Sequence, residues 1–209
     1  MIHPHTRTAH VNDQIGQGVF ATTFIPKGAM TYVIDPLDII LPPDDPRITD
    51  PLTRDTVETY SYIGPDGSRI FSWDNARFVN HSCNPNTIST GYGFEIALRD
   101  IMPGEQITDD YGLFNITWNL QCNCGDPKCR KLVTANDPAL MCMHWDHAVM
   151  QALASFTSVE QPLLQYLDRK THRALMLYLN TGKGYRSVRS LQYTPGATQP
   201  HNGHSITAV

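Results

Sequence analysis

Asn75-Ala76-Arg77-Phe78-Val79-Asn80-His81-Ser82-Cys83-Asn84-Pro85-Asn86 is the densest run of short polar side chains in this sequence. Groups packed this closely are costly to bury unless they hydrogen-bond one another or a ligand. Asn84-Pro85-Asn86 is ordinary turn chemistry. That accounts for the end of the run and leaves Asn80-His81-Ser82-Cys83 asking for a purpose. A second dense run follows at Cys122-Asn123-Cys124-Gly125-Asp126-Pro127-Lys128-Cys129, where Gly125, Asp126 and Pro127 supply a turn between thiols. Cysteines bunched on a tight turn suit tetrahedral zinc, which takes sulfur ligands and can hold a short loop without a hydrophobic core. A closed site needs a fourth ligand from elsewhere in the chain. Cys83 and Cys142 are the remaining thiols.

Around these runs the composition is that of a globular chain: 209 residues, 41% apolar, 14 glycines and a net charge of −4. This length holds one ordinary domain with an appendage. Nothing reaches the ~18 consecutive apolar residues of a membrane span, and Met1-Ile2-His3-Pro4-His5-Thr6-Arg7 has no apolar core of a secretory signal. The expectation is a soluble intracellular protein without membrane contact. An odd number of cysteines, five, fits a disulfide framework poorly. Chains that wrap nucleic acid by charge are usually basic, so direct nucleic-acid binding is not expected. A zinc-ribbon nucleic-acid binder is disfavoured on the same ground.

Residues 11–41 alternate short apolar, β-branched and aromatic runs with glycine and proline, the pattern of short strands. Four prolines and three aspartates make 42–51 an exposed loop. Thr56 to Tyr62 is too short for periodicity to choose between helix and strand. Arg69–Trp73 and Gly93–Arg99 read as strands. After the cysteines the period changes. Asp137 reads as a helix cap with Pro138 in the first turn, and Trp145, Ala148, Val149, Ala152, Leu153 and Phe156 fall on one helical face. Ser158 and Gln161 suggest a capping box for a second helix carrying Leu164, Leu167, Leu175 and Tyr178, with Gly182 at its end. From Thr181 onward no acidic residue occurs and apolar content thins, so 183–209 reads as a flexible tail.

Four separated segments, in order, give the chain its family likeness over roughly residues 11–134. Arg77–Asn86 is similar, almost letter for letter, to the signature of SET-domain methyltransferases with a post-SET zinc element. Gly16-Gln17-Gly18-Val19-Phe20-Ala21 resembles the family's cofactor loop, and Gly104-Glu105-Gln106-Ile107-Thr108-Asp109-Asp110-Tyr111-Gly112 resembles the segment ending in its catalytic tyrosine. Cys122, Cys124 and Cys129 with Arg130 resemble the post-SET element. The resemblance implies a mainly β SET fold of several small sheets with a pseudoknot-like threaded active site, followed by a C-terminal helical hairpin. Its boundaries are 1–121 for the SET domain (core from about 11), 122–134 for the post-SET loop, 135–182 for the helical extension and 183–209 for the tail.

The same resemblance implies S-adenosylmethionine as cofactor, held by Gly16, Gln17, Gly18, Tyr60, Arg77, Asn80, His81 and Leu132. It also implies Tyr111 as the catalytic tyrosine, and a structural zinc on Cys83, Cys122, Cys124 and Cys129. Taken as residues, Tyr60 and Tyr62 are ordinary aromatic packing, and Leu132 suits a loop residue shielding metal. The partner implied is a protein or peptide bearing lysine, possibly histone-like. Alternatives are a catalytically inactive, zinc-stabilised interaction module and a methyltransferase for a non-protein amine.

Two positions depart from the family. Gln17 stands where an aromatic residue is common in the glycine loop. Asp109, two before Tyr111, replaces the usual Phe or Tyr that helps set how many methyl groups are added. A carboxylate near an amine favours its protonated form, so Asp109 is expected to turn outward, be solvated, or guide a cationic substrate.

Overall fold

A computed structural model describes residues 1–194. Twelve short strands and three α-helices follow one another: β1 Thr6–Asn12, β2 Gly16–Ala21, β3 Met30–Val33, β4 Ile39–Leu41, α1 Arg54–Tyr60, β5 Ser61–Ile63, β6 Arg69–Phe71, β7 Asn80–His81, β8 Thr87–Ser89, β9 Phe94–Ala97, β10 Gln106–Asp109, β11 Leu120–Gln121, β12 Leu132–Val133, α2 Asp137–Leu153 and α3 Arg169–Thr181. The ambiguous stretch from Thr56 to Tyr62 is therefore both, a helix running directly into a strand. Among the described residues no helix is long and apolar enough to cross a membrane.

The strands form four small sheets, ordered β1-β2-β10-β7, β3-β9-β8, β4-β6-β5 and β11-β12. The hairpin of β1 and β2 turns on Asn12, whose side-chain oxygen accepts from the Gln14 and Ile15 N–H groups, and on Gly16 at φ +79°. The first half of β10 pairs antiparallel with β2 (Gln106↔Phe20, Ile107↔Val19), and its second half pairs parallel with β7 (Thr108↔Asn80, Asp109↔His81). A parallel pair needs a long crossover between its strands. Here that crossover is the β8–β9 hairpin, so β10 is threaded between segments far away in sequence.

Two apolar clusters hold these sheets together. One gathers Ile2, Val19, Ala21, Ile25, Ala29, Ala97, Ile101 and Ile107. The other joins Met30, Ile88, Phe94 and Ile96 of the second sheet to Trp145, Val149, Ala152 and Leu153 of α2 and to Leu175 of α3. Both C-terminal helices thus deliver their apolar sides to one core, and burial of those sides is what stabilises them.

Their starts differ from expectation. Asn136, not Asp137, flanks α2. The Asp137 carboxylate turns back to accept from the Thr134 N–H and hydroxyl at 3.0 and 2.9 Å, and is buried there. For α3 the cap is Asp168, accepting from the Lys170 and Thr171 N–H groups, and the helix ends on Gly182 at φ +70°. Ser158 closes a short 3-10 turn instead. Gln161 bridges elements through its amide, accepting from the Met30 N–H and donating to the Gly28 and Phe156 carbonyls.

The expected tail is not loose at its beginning. Val188 is fully buried. The Asp146 carboxylate on α2 receives the Tyr185 hydroxyl at 2.8 Å, the Ser187 hydroxyl at 2.6 Å and the Val188 N–H at 2.9 Å. Asn115 donates to the Leu191 carbonyl and accepts from the Tyr193 N–H. Three apolar anchors spaced three apart, Tyr185, Val188 and Leu191, the last two on a short 3-10 turn, dock this segment against the core. The remainder of the expected tail, 195–209, lies outside the described residues.

Candidate active site

The parallel pairing of β7 with β10 brings the dense polar run of the sequence against the stretch ending in Tyr111. On one side the Asn80 amide donates to the Gln17 carbonyl at 2.9 Å. A Cβ at residue 18 would stand 2.7 Å from both Gln106 Nε2 and Val11 Cγ2, and 3.0 Å from Asn80 Nδ2. Any side chain at this position would have to push those three side chains aside. On the other side the Tyr111 N–H donates to His81 Nδ1 at 3.2 Å, and the Ser82 N–H donates to the Asp109 carbonyl at 2.9 Å. Burial pushes the His81 imidazole below its ordinary value, so it stays neutral and can accept that bond.

The Tyr111 hydroxyl donates to the Val79 carbonyl at 2.7 Å, and its ring sits against Phe114 (5.3 Å between centroids) and His81 (5.5 Å). Burial, then the nearby carboxyl groups of Asp109 and Glu95, raise the phenol further above its ordinary range. It is a fixed hydroxyl, not a base. Beside it opens a cleft walled by Tyr60, Tyr62, Arg77, Glu95, Phe114 and Trp118.

The sequence-derived residues thus divide. Gly16, Gln17, Gly18, Asn80 and His81 gather at the junction of β2, β7 and β10. Tyr60 and Arg77 line the Tyr111 cleft: Tyr60 packs edge-on to Phe78 at 5.6 Å, and the Arg77 guanidinium lies 4.9 Å from the same ring and donates to the Trp73 carbonyl. Leu132 is on the hairpin that carries the cysteines, and is exposed.

Asp109 is neither outward nor solvated: it is 0% exposed. Its carboxyl hydrogen-bonds Glu95 on β9, itself 8% exposed, and takes the Asp110 N–H. Two touching carboxyl groups removed from water cannot both be ionised. Burial, followed by the charge of Glu95, drives Asp109 well above the carboxylate range, and burial raises Glu95 to about 7. Burial and the Glu95 charge thus favour the neutral acid form of residue 109.

The sulfur atoms of Cys83, Cys122, Cys124 and Cys129 all lie within 4.8 Å of one another. Cys83 Sγ is 3.7 Å from that of Cys122 and 3.9 Å from that of Cys129. Zinc–sulfur bonds of about 2.3 Å in a tetrahedron separate the sulfurs by about 3.8 Å, so the four residues fit a zinc ion. The Arg130 and Lys131 N–H groups point at Cys83 and Cys129 Sγ, both at 3.4 Å. Cys142 is apart from this group, buried in the α2 core.

Arg130 ties the cysteine loop to the Tyr111 turn. Its guanidinium grips both Asp110 oxygens at 2.7 and 2.6 Å and lies 3.2 Å from Asp137. Asp110 also accepts from Trp145 Nε1 at 3.1 Å and from the Gly112 N–H. Sequence reasoning missed Glu95, Asp110 and Trp145 as parts of the site. The one available signal for Glu95 was a lone charge inside the apolar strand Phe94–Ala97.

The sequence profile of the SET domain matches residues 16–112. Segments of this chain are similar to larger proteins: 43% identity over 61 residues to the variant-silencing SET domain-containing protein of Plasmodium falciparum (26% of this chain, 2% of that protein), 40% over 67 residues to human histone-lysine N-methyltransferase 2B (28% and 2%), and 44% over 62 residues to the H3 lysine-4 specific histone-lysine N-methyltransferase of Schizosaccharomyces pombe (26% and 7%). The chain thus spans a few per cent of the length of these relatives. Among solved structures, KRYPTONITE in complex with mCHG DNA and SAH aligns with a TM-score of 0.43 and 22% identity over 61% of this chain and 28% of that one.

Proposed function

We propose, from the premise that residues 16–112 are a SET domain, that this chain transfers a methyl group from S-adenosylmethionine to a lysine amine of a protein. One observation carries the reading: Tyr111 stands between the Gly16–Gly18, Asn80 and His81 junction and the aromatic cleft, with its hydroxyl fixed on the Val79 carbonyl. A donor bound on one side and an amine entering from the other would meet beside that hydroxyl. The relatives named as histone-lysine N-methyltransferases support a protein substrate, histone-like, and action in the nucleus.

The donor, when bound, supplies an already activated sulfonium methyl. The protein's task is to align nitrogen and methyl carbon and to exclude water. Because the Tyr111 O–H is committed to Val79, its oxygen lone pairs are free to accept an N–H from the amine and aim the nitrogen. Glycines at 16 and 18 let the main chain approach the donor closely, and the Asn80 amide fixes that loop. In this reading Leu132 covers the donor from the cysteine hairpin, while Tyr60 and Arg77, expected from the sequence to hold the cofactor, wall the cleft on the amine's side of Tyr111. Zinc on Cys83, Cys122, Cys124 and Cys129 staples the post-SET loop, 122–134, onto the unit 1–121, while 135–182 buttresses it from outside. Glu58 and Glu95 on the cleft wall suit a cationic side chain.

The test is incubation of zinc-loaded protein with labelled S-adenosylmethionine and a mixed protein extract, with labelled residues mapped by mass spectrometry. Label on lysine side chains is expected. In Tyr111→Phe, turnover should fall about 10²-fold, the cost of removing an oriented hydrogen-bonding group, with cofactor affinity retained. A wild-type protein that binds cofactor and labels nothing but small-molecule amines would overturn the protein-substrate reading.

A further inference from the structure

The register of the second sheet puts Tyr32 of β3, Glu95 of β9 and Ser89 of β8 side by side. Alternation along β9 turns Glu95 away from Phe94 and Ile96, which enter the core with Trp145 and Val149 of α2. Glu95 therefore faces the cleft that Tyr111 also lines. From behind, β10 presents Asp109, hydrogen-bonded to Glu95 and with Oδ2 3.5 Å from the Ser89 hydroxyl. Tyr62 of β5 lies alongside and hydrogen-bonds Tyr32, whose hydroxyl donates to Asp38 and accepts from Ser72. The titratable groups facing Glu95 are thus Asp109, Tyr62, Tyr32 and Tyr111, with the Met1 amine as the cation acting on it. Among the described residues no lysine or arginine forms an ion pair with Glu95 or Asp109. Glu95 thus meets a cleft that Arg69 and Arg77 also line without an ion pair to either of them.

We propose that Glu95 is the proton acceptor for the lysine ammonium entering this cleft, and that Asp109 is its positioning residue; this rests on the methyl-transfer reading above. An unperturbed lysine holds its proton to about pH 10.4 and has no lone pair to attack with. In the step, one N–H bond of the ammonium breaks and its electron pair stays on nitrogen, while the proton forms an O–H bond on the Glu95 carboxylate. The neutral amine then attacks the methyl carbon of the sulfonium donor, the carbon–sulfur pair departs with sulfur, and the product is a methylammonium ion. The Glu95 proton passes to water as the product leaves. Burial sets the proton affinity of Glu95 at about 7, close to neutrality, where a general base works best. As a neutral acid, Asp109 donates its hydrogen to Glu95 and so holds the accepting oxygen in place without adding a second charge.

The test is single-turnover methyl transfer by the zinc-loaded full chain, with core histones and labelled S-adenosylmethionine, from roughly pH 6 to 10. Affinity for S-adenosylhomocysteine is measured alongside. Wild type should rise to a plateau with a midpoint near 7, the value set at Glu95. Glu95→Gln should be at least about 10²-fold slower at neutral pH and climb about tenfold per pH unit without levelling, with product affinity unchanged. Asp109→Leu, which covers the case that Glu95→Gln does not fold, should keep the plateau and move its midpoint upward, because the hydrogen bond that lowers the proton affinity of Glu95 is gone. A Glu95→Gln enzyme with the wild-type rate and profile, or an Asp109→Leu midpoint that stays put or falls, overturns the proposal alone. A wild type that binds the product yet methylates nothing overturns it together with the methyl-transfer reading.

Discussion

A single carboxyl pair, Glu95 with Asp109, changes how the site behaves with pH. An acid whose proton affinity is raised in the folded state stabilises the fold fully below its unfolded value, and that contribution is lost as pH rises through the folded value. For Glu95 the window runs from 4.5 to about 7, equivalent to on the order of 3 kcal/mol at about 1.4 kcal/mol per unit. Metal-loaded wild type should therefore lose stability relative to Glu95→Gln between about pH 5 and pH 8. Urea unfolding of both proteins at the two pH values measures this, and a difference of the opposite sign would mean that Glu95 is ionised in the fold. Asn80, His81, Cys83 and Tyr111 were legible because each sits in a contiguous run whose residue types already belong together. Glu95 was not. Its place depends on cross-strand register and on which face of β9 is covered by α2, and neither is written in local spacing. Asp109 was noticed for the wrong environment, since nothing in the sequence says that a carboxyl 14 residues earlier will share its proton.

Elements tell a similar story with different physics. The cysteine loop was read from composition, and the resemblance named its fourth sulfur, Cys83, across the sheet junction. Elemental analysis should find one zinc per chain, lost or greatly weakened in Cys83→Ser and retained in Cys142→Ser; the reverse pattern would move the ligand to α2. The apolar stripe of α2 was visible because its period is long and unbroken. Its first residue was misplaced by one because Asp137 trades the cap for Thr134 and Arg130. The start of α3 was misplaced by more. Ser158 and Gln161 have capping chemistry at capping spacing, but the amide of Gln161 is used to join Gly28 and Met30 to the C-terminal region. A tertiary bond outcompeted a local one, a contest that spacing along the chain cannot judge.

At the scale of the molecule, the docked segment 183–194 acts as a strap over the second sheet. The fit is tight at Gly91, where a Cβ would meet the Arg186 and Ser187 carbonyl oxygens, both of them backbone. Gly91→Ala should therefore lift the strap and destabilise the fold by about 1–3 kcal/mol, the range for overpacking. Urea titration gives the magnitude. Limited proteolysis should show new cleavage within 183–194, and unchanged resistance there would mean the strap yields without detaching.

The threading of β10 has a further bearing, on when the protein comes into being. Half of that strand waits for β2 and half for β7, and pairings between segments so far apart must first close long loops, which slows folding. During synthesis, with residues added at about 5–20 per second, the β1–β2 hairpin can form early, but His81 lacks the Tyr111 N–H until that residue has emerged, and the four-sulfur group containing Cys83 is incomplete until Cys129 has. Unfinished chains can therefore hold much of their local structure while lacking both the cysteine cluster and the centre at Tyr111, which are completed only as residues 111 to 129 emerge.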